Sequence, residues 1–226
     1  MRRQNFFEGP WVTMVLLSIS VLMFGVEILA GGSTNSRVLF DLGARFAPAL
    51  TLGNQWWRLL TPIFLHVGFM HLFVNMATLW YLGRITEQAF GHWRFLVIYL
   101  VSGITGNFAG LLFGSANAVA AGASTSLFGL FGAFLMVGDV FRDRPDIAAM
   151  TRSVLAVVVI NLVFDLFQGN IDIAGHVGGL VGGFLIAGVV GVPLIGDISV
   201  ARRLLMAGLL VATPLILAFV YGGNLL

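Results

Sequence analysis

Four side chains in this sequence combine polar chemistry with apolar surroundings. Ser124 lies in Ala120-Ala121-Gly122-Ala123-Ser124-Thr125-Ser126, at the head of one apolar run, and His176 lies in Asp172-Ile173-Ala174-Gly175-His176-Val177-Gly178-Gly179, at the head of another. A serine hydroxyl becomes a nucleophile when a histidine within hydrogen-bond reach takes its proton. His71 and Asn75 are four residues apart, so on a helix they share a face and can aim donors at a developing oxyanion. Losing one such donor typically costs on the order of 10² to 10³ in rate. Each residue also has a plainer reading. A serine in a membrane helix commonly bonds its own i−4 carbonyl, and a polar pair such as His71 and Asn75 can simply bond neighbouring helices.

The elements that must hold these groups are membrane helices. Of 226 residues, 58% are hydrophobic and only 10% charged, against about 25% charged in a soluble domain. The apolar residues come in blocks of about 20, the length that crosses a hydrocarbon core as helix. The pattern predicts an all-α membrane protein with spans near 11–30, 59–82, 95–113, 119–137, 148–167, 173–192 and 204–221. On this reading Ser124 is about one turn inside the outer end of its span, roughly 6 to 8 Å down at 1.5 Å per residue, and His176 is at a similar depth. Glu27 and the missing cleavage site argue for a retained first span over a removed signal peptide.

The chain has no lysine, and its net charge of +2 comes from scattered arginines. That scatter fits topology signals rather than a nucleic-acid surface. Alternating the segments places Arg2, Arg3, Arg84, Arg94, Arg142, Arg144, Arg152, Arg202 and Arg203 on one side, and Arg37, Arg45 and Arg58 on the other. The positive-inside rule then makes the amino terminus cytoplasmic and the carboxyl terminus external. The external stretch 31–58 is too apolar for a solvated loop and is expected in the interface, with Trp56 and Trp57 at headgroup depth. There is no cysteine, which excludes thiol nucleophiles, disulfides and thiolate metal sites. Small residues at Gly175, Gly179 and Gly183 would let the sixth span approach another backbone closely.

Together these elements resemble the rhomboid intramembrane serine proteases. The resemblance rests on Trp57-Arg58, His66-x4-His71-x3-Asn75, Gly83-x3-Glu87-x3-Gly91, Gly-x-Ser at Gly122 to Ser124, and His176-x-x-Gly179, in that order. It implies a six-helix core over 11–192, carrying the interfacial segment 31–58, after a short cytoplasmic tail 1–10. A cytoplasmic loop and an additional seventh helix would follow at 193–226. Position by position, it implies Ser124 as nucleophile and His176 as general base, with His71, Asn75 and the Ser124 backbone N–H as oxyanion donors. It further implies Phe128 stacked on His176, Arg58 paired with Glu87, and His66 holding the external segment by hydrogen bonds; Gly122 and Gly179 support the two catalytic residues. In this sequence Thr125 replaces the family's usual glycine after the serine. Ser126 is a rival nucleophile, but it points about 200° away along a helix, and Ser124 is preferred.

The expected chemistry is acyl transfer by a Ser-His dyad, since no third acid is evident: Asp172, one turn outward from His176, is read as an N-terminal acid or cap of its helix. The expected substrates are single-pass membrane proteins in the lipid bilayer, with no cofactor, metal or nucleic acid involved. A zinc protease would need His-Glu-x-x-His, whereas His66 and His71 are five apart. An aspartyl protease would need two acids at one depth, and Asp139 and Asp165 are at opposite ends. His92 is read as a solvated residue without a role. The alternative from another class is a catalytically inactive, rhomboid-like chaperone or trafficking factor, which should have lost Ser124 or His176.

Overall fold

A computed structural model describes residues 9–168 and 171–221. Arg2 and Arg3, with the expected tail up to residue 8, lie outside the described residues, as do residues 222–226 of the expected last segment. Helix α1, Trp11–Leu29, starts directly after Pro10, which is compatible with a helix start because the ring needs no intrahelical partner there. It ends before Gly31 and Gly32, whose positive φ angles of 124° and 109° turn the chain out of the helix. The stretch that follows folds as α2, Ser36–Asp41, and α3, Ala47–Thr51, followed by 3-10 turns at Trp56–Leu59 and Thr61–Phe64.

The next apolar run is α4, Phe69–Thr78, a π turn at Leu79–Gly83, and α5, Arg84–Phe90, joined without a break in helical backbone. The sequence pattern places this start near Leu59. The chain instead enters the helix at Phe69, because Pro62 offers no N–H to a ladder and Gly68, at φ 81°, sets the turn into α4. Helix α6, His92–Phe113, follows Gly91. Helix α7, Ser124–Val140, begins five residues later than the pattern indicates, since Gly122 is at φ 148° and cannot be helical. Ser124 is therefore the first helical residue rather than one turn in. Helices α8, Pro145–Phe167, α9, Ile173–Val190, and α10, Val200–Tyr221, complete the chain.

Among the described helices, five (α1, α6, α8, α9 and α10) are long and apolar enough to cross a membrane. Helix α7 has 17 residues, roughly 26 Å at 1.5 Å per residue, against a hydrocarbon core of about 30 Å. It is short and central, and most of its residues are buried.

Helices α6, α7 and α9 form the core, and the α9 glycines divide between the other two. A Cβ on Gly179 would overlap the Thr125 carbonyl, and one on Gly183 the Gly129 carbonyl, so this row faces α7. A Cβ on Gly178 would come within 3.0 Å of the Thr105 carbonyl oxygen, and one on Gly182 would overlap the Thr105 side chain, so that row faces α6. With lipid as apolar as the side chains, such close contact is what holds helices together. By contrast, α8 buries only Ile147, Val158 and Asp165, and α10 only Met206.

Gly183→Ala should destabilise the protein by about 1–3 kcal/mol through overpacking, read as a lower melting temperature in detergent. Gly208→Ala, where an added Cβ meets nothing within 4 Å, should leave it unchanged. Equal effects of the two would remove the close-packing account of α9.

Candidate active site

Ser124 opens α7 and His176 is in the first turn of α9, on the two helices that the glycines bring together. Ser124 Oγ and His176 Nε2 are 2.8 Å apart. The Phe128 ring, one turn after Ser124, stacks on the imidazole with centroids 4.3 Å apart and planes 13° from parallel. His176 is buried and Ser124 half-buried. As the first residue of α7, Ser124 also presents one of the N–H groups that a helix start leaves without an intrahelical partner.

The approach to Ser124 is shaped by Gly122. Its N–H donates to Pro62 O at 2.9 Å, and a Cβ there would come 2.9 Å from His71 Nε2, 2.6 Å from His71 Cε1 and 3.7 Å from Ser124 Oγ. Both the positive φ and this crowding require glycine. They bring His71 to the side of the serine. Asn75, buried on the same face of α4, donates from Nδ2 to His71 O at 2.8 Å. Ser126 is buried and turned to Gly103 of α6, where an added Cβ would come 2.5 Å from its Oγ. Thr125 places its side chain against Gly106 and Gly175 while its carbonyl meets Gly179. The close backbone approach beside the serine is thus made with Thr125 in place.

Three expectations are corrected, and the hydrogen-bonding expectation for His66 is met by its main chain. Arg58 and Glu87 do not pair: Arg58 is buried in the segment between α1 and α4, donating to Phe40 O at 2.7 Å, Ala44 O at 2.9 Å and Gln55 Oε1 at 2.6 Å, with its guanidinium over the Phe40 ring. Glu87 is roughly 27 Å along the helix from Phe69 at 1.5 Å per residue. There it accepts from Val12 N, Thr13 N and Thr13 Oγ1 at 2.6 to 3.0 Å, satisfying the free amides of the α1 start.

His92 is no bystander, since its Nδ1 is 2.5 Å from Glu87 Oε1 and its ring lies against Trp11. His66 ties the stretch before α4 to α1 through its backbone N–H, which donates to buried Glu27 Oε1 at 2.9 Å, while its ring meets His71 edge-on. Finally, His176 is not without an acid: Asp165 Oδ2 is 2.7 Å from its Nδ1. Asp172 caps α9 by accepting from Gly175 N at 3.0 Å, and pairs with buried Arg45 at 2.5 Å.

Comparisons with known proteins identify the family. A rhomboid domain family model matches residues 53–192. The chain belongs to the rhomboid family. It is 40% identical over 214 residues to the rhomboid protease GluP of Bacillus subtilis, covering 95% of this chain but 41% of that protein. It is 32% identical to rhomboid-like protease 3 of Toxoplasma gondii, covering 76% of this chain and 65% of the relative. It is 37% identical to RHOMBOID-like protein 7 of Arabidopsis thaliana, covering 67% and 48%. The chain therefore spans less than two thirds of the length of these rhomboid relatives. Family membership and apolar helices of spanning length make it an integral membrane protein.

Gly122→Ala should push His71 and the Ser124 backbone apart and slow labelling of Ser124 by a serine-directed fluorophosphonate by about 10²-fold, the cost of a misplacement near 1 Å. Unchanged labelling would show that the Gly122 turn does not shape the site. A second expectation concerns acid. Burial, helped by the neighbouring His71 ring, holds the His66 imidazole down from 6.5 to about 3. The folded chain keeps it neutral where the unfolded chain takes a proton, so stability present above pH 6.5 is lost as pH falls from about 6.5 toward about 3. His66→Phe should flatten that fall in melting temperature; the same fall in both proteins would remove His66 as its source.

Proposed function

We propose that this protein is an intramembrane serine endopeptidase that hydrolyses peptide bonds in or beside the membrane helices of single-pass proteins. The observation that carries the reading is the 2.8 Å contact of Ser124 Oγ with His176 Nε2, on adjoining helix starts, in a chain whose relatives include proteins named as proteases. Ser124 Oγ attacks the scissile carbonyl carbon, and its proton passes to His176 Nε2. The tetrahedral oxyanion is held by the Ser124 N–H, His71 and Asn75; Asn75 must first release the His71 carbonyl. His176 then returns the proton to the leaving amine, and water releases the acyl group by the same steps in reverse order.

A helical substrate shields its amides by hydrogen bonds, so cleavage requires local unwinding. Small or helix-breaking residues near the outer end of the substrate helix would favour it. The arginine distribution supports seven spans, a cytoplasmic amino terminus and a site opening to the external side of the cell membrane. The run α4 to α5 and the short α7 are the two spans added to the five long helices. On this reading the family core is residues 11–192, and α10 is an addition after it. The inactive alternative is not carried further, because both Ser124 and His176 are present.

Purified protein in detergent should cleave a single-pass membrane substrate with a helix-breaking outer end. Ser124→Ala and His176→Ala should each abolish cleavage, and Ser126→Ala should leave it intact. Full activity in Ser124→Ala would overturn the mechanism, and loss only in Ser126→Ala would move the nucleophile.

A further inference from the structure

We infer that Asp165 is a positioning residue for His176, which makes the reacting group of this chain a three-member Asp165–His176–Ser124 relay of contacts. The inference deepens the serine-protease reading above and rests on it. Asp165 is on α8, and between residues 159 and 167 it is the only buried side chain. The rest of that stretch, Val159-Ile160-Asn161-Leu162-Val163-Phe164 and Leu166-Phe167, is partly or fully exposed on an apolar helix. An ionisable group at membrane depth is costly and is tolerated where it has a partner. Here the inward residue is an acid, and its Oδ2 is 2.7 Å from His176 Nδ1.

The chemistry of that contact is directional. An ionised carboxylate has only acceptor sites, so Asp165 selects the imidazole tautomer with its proton on Nδ1. The Nε2 lone pair is then left facing Ser124 Oγ at 2.8 Å, which is the form a general base needs. When Nε2 takes the serine proton, Asp165 remains ionised beside the resulting imidazolium and favours it electrostatically. Phe128 fixes the plane of the ring but cannot choose between its nitrogens. A brace between α8 and α9 would need some buried contact at this point, yet an apolar residue would serve that purpose at lower cost in a membrane. Asp165 and Phe128 thus constrain different properties of His176, its tautomer and its tilt.

The test separates positioning from bracing. With a fluorophosphonate probe, Ser124 O–P forms, P–F breaks with loss of fluoride, and the serine proton moves to His176 Nε2, so the maximal labelling rate reports the chemistry and the half-saturating concentration reports binding. Asp165→Asn is nearly isosteric, and its amide can donate to Nδ1, stabilising the wrong tautomer. It should lower the maximal labelling rate at least about 100-fold, with the half-saturating concentration and melting temperature little changed. In protein with 15N-labelled histidines, the His176 signal, assigned through His176→Ala, should report Nδ1–H in the parent and Nε2–H in Asp165→Asn.

Asp165→Ala should be slow as well, even where its melting temperature is preserved. Labelling within about threefold of the parent in Asp165→Asn, or an unchanged tautomer, would overturn the inference, as would a rate loss that only tracks the folded fraction. Labelling that persists in Ser124→Ala would instead overturn the serine-protease reading itself, so the two failures are distinguishable.

Discussion

A serine on α7 and a histidine on α9 meet at 2.8 Å because α9 presents Gly179 and Gly183 directly to the α7 main chain. Packed helices ordinarily keep their axes 8–10 Å apart, the width of the side chains at their contact. On α9 Gly179 and Gly183 remove that width against the α7 main chain, and Gly178 and Gly182 remove it against α6. Glycine has no side-chain rotamers to lose, and in a bilayer the contact must come from van der Waals packing rather than from expelled water. The same glycines that hold the core together therefore set the separation of the reacting groups. Their positions are fixed by main chain, with only one or two side-chain torsions between backbone and reacting atom.

Once the helices are this close, each buried charge needs a partner, and the partners divide the molecule into two ends. At one end Glu87 takes up the amides at the start of α1 and contacts His92. At the other, Asp172 holds Arg45 and the first turn of α9, and Asp165 contacts His176. A buried acid stripped of its partner is expensive, so these contacts fix the rotation and depth of the helices that carry them. Arg58 does the same within the segment between α1 and α4, where two carbonyls, a side-chain amide and an aromatic face surround one guanidinium.

Residues whose relation is fixed by helix periodicity are legible in the sequence: His71 with Asn75, Ser124 with Phe128, and the opposite directions of Ser124 and Ser126. The membrane class and the apolar blocks are legible from composition for the same reason, since 1.5 Å per residue converts length into thickness. Two helix starts are misread because Leu59-Leu60-Thr61-Pro62-Ile63-Phe64-Leu65 and Val119-Ala120-Ala121 are as apolar as the helices they precede. The turns at Gly68 and Gly122, which decide the matter, act through backbone torsion and leave no mark on hydropathy. The acid beside His176 is hidden for a different reason. Helix α8 is apolar on all sides, so nothing in its pattern says which way Asp165 turns, and Asp172, four residues before the histidine, is the nearer acid in sequence. The pairing of Arg58 with Glu87 rests on the family resemblance alone, not on any spacing in the chain; helix length keeps them apart.

The segment between α1 and α4 is more than a connection, because its main chain is bonded into the stretch of backbone that delivers Ser124. Arg45 exchanges two backbone hydrogen bonds with Ala120, at 2.8 and 2.9 Å, and Pro62 accepts from Gly122. The Arg45 side chain then reaches past Gly110, where a Cβ would displace it, to Asp172 at the head of the histidine helix. From below, Asn107 of α6 donates to Leu59 O at 2.9 Å, and Glu27 of α1 holds the His66 amide. The segment between Gly31 and Gly68 is thereby tied both to the approach of the nucleophile and to the first turn of the base helix. Trp56 and Trp57 stay about half exposed on it, where amphipathic rings favour the headgroup layer. A shift of this segment would thus be carried, through a few hydrogen bonds, to Ser124 and His176.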